Sequence, residues 1–224
     1  MIKDNVKRVL DDIYETAIAA NRNPQDITLV AVTKTVTANE AKEVMNAGVK
    51  TLGENRVQSL LDKYDVLKDE PVWHLIGHLQ TNKVKYIADK VSLIHSVDSL
   101  KLAQEIDRKF GELNRCAEIL IQVNVSGEES KFGVTPDECM RLAESISPLS
   151  NVKVKGLMTM APLAATTDEC RKYFHDLNKL SQKLRESKIP NVDMKHLSMG
   201  MSGDYREAIM EGATLVRVGS ALFN

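Results

Sequence analysis

Short apolar runs alternate with helix-type patterns along this whole sequence, and that alternation leaves few folds open. The apolar runs are Ile27–Thr33, Val49–Gly53, Val72–Ile76, Ser92–Ser96, Glu118–Asn124, Val152–Leu157, a weaker Met194–Leu197, and Ala213–Val218. Each is too short for a helix, and helical stretches separate them. Strands separated by helices pair in parallel, because a parallel return needs a crossover. Their near-continuous apolar character suits a sheet covered on both faces. The order is one leading helix and then eight strand–helix units, which predicts an α/β chain folded as a single (β/α)8 TIM barrel over residues 1–224 with an extra N-terminal helix. An open doubly wound sheet is the alternative.

Between the strands the helix starts are marked. Thr37–Ala–Asn–Glu40 and Thr135–Pro–Asp–Glu138 read as capping boxes, the second with Pro at the first helical position. Val57–Leu67, Asn82–Asp89, the segment through Leu102, Ile106 and Phe110, the stripe of Cys170, Phe174, Leu177 and Leu184, and Tyr205–Glu211 are further helices. Aromatic residues make up only 4% of the chain, so aliphatic side chains must fill the core.

Thirty basic and 31 acidic side chains leave a net charge of −1, which gives no electrostatic reason to expect nucleic acid or an acidic membrane as partner. Met1–Leu10 mixes acid and base with no apolar core, so no targeting segment is expected, and Ile27–Val32 is too short to span a bilayer. Cys116, Cys139 and Cys170 are odd in number and form no CxxC pair. They read as free thiols in a reducing cytoplasm. His74 and His78 lack an HExxH glutamate and read as core or rim histidines, so no metal site is expected.

In a barrel of this type the working residues follow the C-terminal ends of the strands. Lys34 follows strand one. A lysine after an apolar strand should be partly desolvated, and a neutral amine can attack an aldehyde. On position alone, a lysine reaching from the rim into water is the commoner outcome. The end of the chain shifts the balance. Ser198–Met–Gly–Met–Ser202 and Gly219–Ser220 are small, hydroxyl-bearing loops after strands seven and eight, where barrels often bind phosphate. Arg217 lies on strand eight, which neighbours strand one in a closed barrel. Its plainest reading is a rim ion pair.

Taken in order, AVTK ending at Lys34, GEN at Gly53–Asn55, WHLIGHLQTNK at Trp73–Lys83, SKFG at Ser130–Gly133, GLM at Gly156–Met158, LSMGMS at Leu197–Ser202 and VRVGSALF at Val216–Phe223 closely resemble the pyridoxal phosphate homeostasis, or YggS-like, proteins. These look like the N-terminal barrel of alanine racemase standing alone. The resemblance implies pyridoxal 5'-phosphate (PLP) as cofactor, bound to Lys34 as a Schiff base, with Asn55 beside its ring. It implies that Ser198, Met199, Ser202, Gly219 and Ser220 cradle the phosphate and that Arg217 faces the pyridine nitrogen. It implies a cytoplasmic, monomeric carrier or buffer of PLP with no catalytic residues, with apo-enzymes as recipients of the cofactor. Weak amino-acid racemisation is the alternative. Alanine racemase takes a second base from an additional domain, and this sequence stops at Asn224, a few residues past strand eight.

Overall fold

A computed structural model describes residues 1–128 and 131–224. Eight strands, β1 (Thr28–Val32), β2 (Thr51–Glu54), β3 (Val72–Leu75), β4 (Leu93–Val97), β5 (Ala117–Gln122), β6 (Val152–Met158), β7 (Val192–Ser198) and β8 (Leu215–Val218), close in sequence order into a parallel barrel. The helices are α1 (Ile2–Ala19), α2 (Ala38–Asn46), α3 (Val57–Leu67), α4 (Leu100–Gly111), α5 (Pro136–Ile146), α6 (Thr167–Glu186), α7 (Tyr205–Met210) and α8 (Ser220–Phe223). No helix among the described residues is long and apolar enough to cross a membrane.

Both expected capping boxes are formed, with Thr37 accepting from the Glu40 N–H and Thr135 from the Glu138 N–H. A third, Thr166 with Glu169, opens α6. The expected helix over Asn82–Asp89 is instead a 3-10 helix over Thr81–Tyr86. Buried Val84 and the buried C-cap residue Ile87 stand three apart, and three residues per turn put them on one edge. β7 is longer than Met194–Leu197. Exposed Asp193 and Lys195 interrupt its apolar signal.

The barrel wall separates two apolar bodies. The larger lies between strands and helices and includes Leu29, Ala31, Val216 and Val218. The smaller, Val30, Leu93, Leu120, Met158 and Leu215, fills the inside. Strand alternation sends successive side chains to opposite faces, so Arg217 points inward between Val216 and Val218. β1 pairs with β8, Val30 beside Arg217, which closes the barrel and sets Lys34 next to the end of β8.

Candidate functional site

A cavity of about 790 Å³ opens at the C-terminal end of the barrel. That is within the range of small-molecule sites, roughly 300–1,000 Å³. Of the expected residues, Lys34, Asn55, Ser202, Arg217, Gly219 and Ser220 line it. Seven loops and strand ends therefore do not contribute equally. The expected residues come from the first two strands and the last two.

Lys34 stands on the turn after β1 and is exposed. The strand ends at Val32, and buried Thr33 completes its pairing by donating its N–H to Gly53 O at 3.1 Å, which leaves Lys34 one residue beyond the paired backbone. Asn55 follows β2, and its backbone is held from behind. A Cβ built on Gly77 would lie 2.2 Å from Asn55 O, so only glycine permits the β3 loop to pass there. Beneath these two residues a buried cluster locks β1 to β2. Thr33 Oγ1 donates to Glu54 Oε1 at 2.6 Å, and Lys63 of α3 meets the same oxygen at 2.9 Å. Glu54 was legible only as part of GEN, and Lys63 had no sequence signal beyond its place on a helix.

At the far side of β1 the phosphate-type loops meet. Ser220 starts α8, a four-residue helix where a loop was expected. Gly219 N–H and Ala221 N–H both donate to Ser202 Oγ, at 3.2 and 3.4 Å. Two backbone donors thus converge on one oxygen at the cavity wall. Gly219 is also close to β1: an added Cβ would press on Val32 at 3.3 Å.

Ser198 and Met199 are placed behind the cavity wall. Both are fully buried, and neither lines the cavity. Met199 packs in the outer core, and its N–H donates to Leu215 O at 3.2 Å. Ser198 ends β7 pointing into the barrel, where its hydroxyl accepts from Arg217 Nη1 and lies 2.8 Å from His95 Nδ1. Ser130 of the SKFG motif lies outside the described residues.

Arg217 is no rim ion pair. It is 3% exposed and meets no carboxylate among the described ion pairs. Nη2 donates to Thr159 O at 2.8 Å. Burial lowers its pKa to about 10, opposed by the distant charge of Asp204, so it remains a cation at neutral pH. His74 and His95 hydrogen-bond to each other at 3.0 Å inside the barrel. His78 sits at the rim, stacked on Phe132 at 4.2 Å between ring centres. Cys139 and Cys170 are buried, and desolvation raises the Cys139 thiol to about 12.

Residues 14–224 match the family model described as alanine racemase, N-terminal domain. A protein of Aquifex aeolicus called pyridoxal phosphate homeostasis protein is 46% identical over 98% of this chain and 96% of its own length. An unknown protein from Bifidobacterium adolescentis superposes with a TM-score of 0.95 at 36% identity, covering 99% of this chain and 94% of that one. PipY of Synechococcus elongatus, solved with PLP bound, superposes with a TM-score of 0.84 at 36% identity, over 95% of this chain and all of that one. On these matches and the barrel that carries them, the chain belongs to the pyridoxal phosphate homeostasis protein family, built on the barrel fold of the alanine racemase N-terminal domain.

Proposed function

We propose that the cavity holds PLP as a Schiff base on Lys34 and that the chain serves intracellular PLP homeostasis by storing the cofactor reversibly. The observation that carries this reading is that one cavity presents an accessible amine and a pair of converging backbone donors. The residues fit the group. Gly219 and Ala221 N–H both donate to the Ser202 oxygen, so this corner of the cavity offers backbone donors that suit an anion, and Ser202 and Ser220 carry hydroxyls beside them. A free aldehyde such as PLP reacts with amines, and Lys34 is the cavity's lysine. Asn55 would flank the ring, and Arg217 would face its nitrogen.

That last placement bears on carrier against catalyst. An arginine keeps its proton, so a ring nitrogen facing Arg217 stays unprotonated. The unprotonated ring is the poorer electron sink. The pairing favours holding the cofactor over carbanion chemistry. Delivery to apo-enzymes, a monomeric state and a cytoplasmic setting complete the reading. The free thiols Cys116, Cys139 and Cys170 support the last of these.

Borohydride reduction of PLP-treated protein, proteolysis and mass spectrometry test it. The Lys34 peptide should gain a phosphopyridoxyl group, and Lys34→Ala should lose it. An unmodified Lys34 after PLP treatment overturns the reading. Incubation with L-alanine in deuterated water tests the carrier clause, which rapid exchange and inversion at Cα would sink.

A further inference from the structure

Inside the barrel, below the cavity floor, four polar side chains from four strands form one hydrogen-bonded row. Arg217 of β8 reaches Ser198 of β7, Ser198 reaches His95 of β4, and His95 reaches His74 of β3. Arg217 is 3% exposed, Ser198 and His95 are 0%, and His74 is 7%. The two rings lie 5.0 Å apart between centres, tilted by 51°. No acidic side chain hydrogen-bonds to any of the four among the described residues.

The direction of each hydrogen follows from the donor inventory. A guanidinium only donates. Ser198 Oγ therefore accepts from Arg217, and its single hydrogen is free for His95 Nδ1 at 2.8 Å. No other acceptor for that hydrogen stands among the described residues, so the arrangement that satisfies it leaves His95 Nδ1 bare, and a neutral His95 then carries its proton on Nε2. That N–H donates to His74 Nδ1 at 3.0 Å, which must also be bare. Burial favours the neutral form of both rings: it lowers His74 to about 3 and holds His95 well below the ordinary histidine value. A charged His95 would donate its Nδ1–H to Ser198 and leave the Ser198 hydrogen with no acceptor among the described residues.

We infer that His95, acting through Ser198, is a positioning residue for Arg217, holding the guanidinium in one plane with no carboxylate hydrogen-bonded to it, so that the site selects a ligand atom that accepts a hydrogen bond. The row fixes Nη1, and Thr159 O fixes Nη2. The two anchors leave the plane no freedom. Since neutral groups do the fixing, no internal carboxylate competes with the ligand for the cation. This inference rests on the PLP reading in its ligand arm only.

Two measurements decide it. In the unliganded protein labelled with 15N-histidine, at pH 7 to 8, His95 and His74 should both carry the proton on Nε2 with Nδ1 bare. A charged His95, or one protonated on Nδ1, overturns the row. The second arm compares PLP with its 1-deaza analogue, in which a C–H replaces the accepting ring nitrogen. The wild type should prefer PLP by about tenfold or more, as loss of one hydrogen bond to a charged donor implies. His95→Phe, which has no acceptor for Ser198, should bring the ratio close to one. His95→Gln, whose amide oxygen accepts from Ser198, should restore most of it. Ser198→Ala serves as the second disrupting variant if His95→Phe does not fold. An unchanged ratio in the disrupted proteins, or equal binding of both ligands by the wild type, overturns the positioning role. If the wild type binds neither ligand, the PLP reading falls, and the tautomer measurement alone decides the row.

Discussion

Lys63 places an ammonium in the wall between β2 and α3, with its side chain 8% exposed against a fully buried Glu54. Taking two charges out of water is costly, and breaking such a pair leaves one uncompensated. Lys63→Met should therefore destabilise the protein by about 3–5 kcal/mol. Adding Glu54→Gln should recover a large part of that loss, because a neutral amide still accepts from Thr33 Oγ1 and no longer carries a stranded charge. Urea unfolding of the two variants measures the difference. If the double variant is no more stable than the single one, the pair matters by packing and not by charge. Lys34, Asn55, Ser202, Gly219 and Ser220 were legible at this scale because each follows a strand end and the mouth collects such residues. Ser198 was not. It and Ser202 belong to one motif four residues apart, and no local signal says that β7 runs on through Ser198. One further strand residue turns a loop hydroxyl into an interior one. The rows of contacts made by Arg217 and Lys63 are long-range and leave no mark on spacing.

Among the elements, the capped helices were the plainest to read. A hydroxyl followed three residues later by Glu meets an electrostatic need that every helix start has. The same pattern at Thr166–Glu169 held the same information for α6. There Thr166 accepts from the Glu169 N–H at 3.3 Å while Glu169 Oε2 accepts from the Thr166 N–H at 2.7 Å. Thr166→Ala should cost about 1 kcal/mol, read as a lower thermal midpoint without change in PLP binding. α8 was hidden, because four residues show no period. It is held from outside by α1: Asn5 Nδ2 donates to Leu222 O at 3.2 Å and to Asn224 O at 3.1 Å. α1 also holds α7, through Tyr205 Oη donating to Asp12 and Arg206 paired with Asp12 at 2.7 Å. The leading helix thus braces the two elements that flank Ser202. Asn5→Leu should lower stability by about 1–2 kcal/mol. It should also narrow the preference for PLP over unphosphorylated pyridoxal, since α8 carries the Ala221 donor. A variant that loses stability yet keeps the full preference would show that α1 braces the fold without setting the phosphate end.

At the scale of the whole molecule, the closed barrel follows from eight apolar runs and the crossovers between them. What fills its centre does not follow, since an inward polar residue breaks an apolar run only as noise. The two interior histidines have a consequence for the entire fold. Free in the unfolded chain, each titrates near 6.5. In the barrel, burial first and the neighbouring charges second hold His74 to about 3 and His95 well below its ordinary value. Below pH 6.5 the unfolded chain therefore binds more protons than the native one, and stability falls as pH falls. The contribution is fully present above about pH 6.5 and is lost progressively toward the folded values, at up to about 1.4 kcal/mol per pH unit for each proton taken up. Exposed carboxylates held low by their caps, Glu40, Glu138 and Glu169, act in the same direction. Their window opens only near pH 4, where unfolded glutamate begins to protonate. His196, also lowered by burial, belongs to the histidine window. Between pH 6.5 and 4.5 the histidines should therefore dominate. Denaturant unfolding across that interval should show a steady loss of stability in the wild type and a shallower one in His95→Gln, which has one fewer buried group to protonate. Equal slopes would mean that the interior opens to protons without unfolding, and that the polar row is not sealed within the barrel.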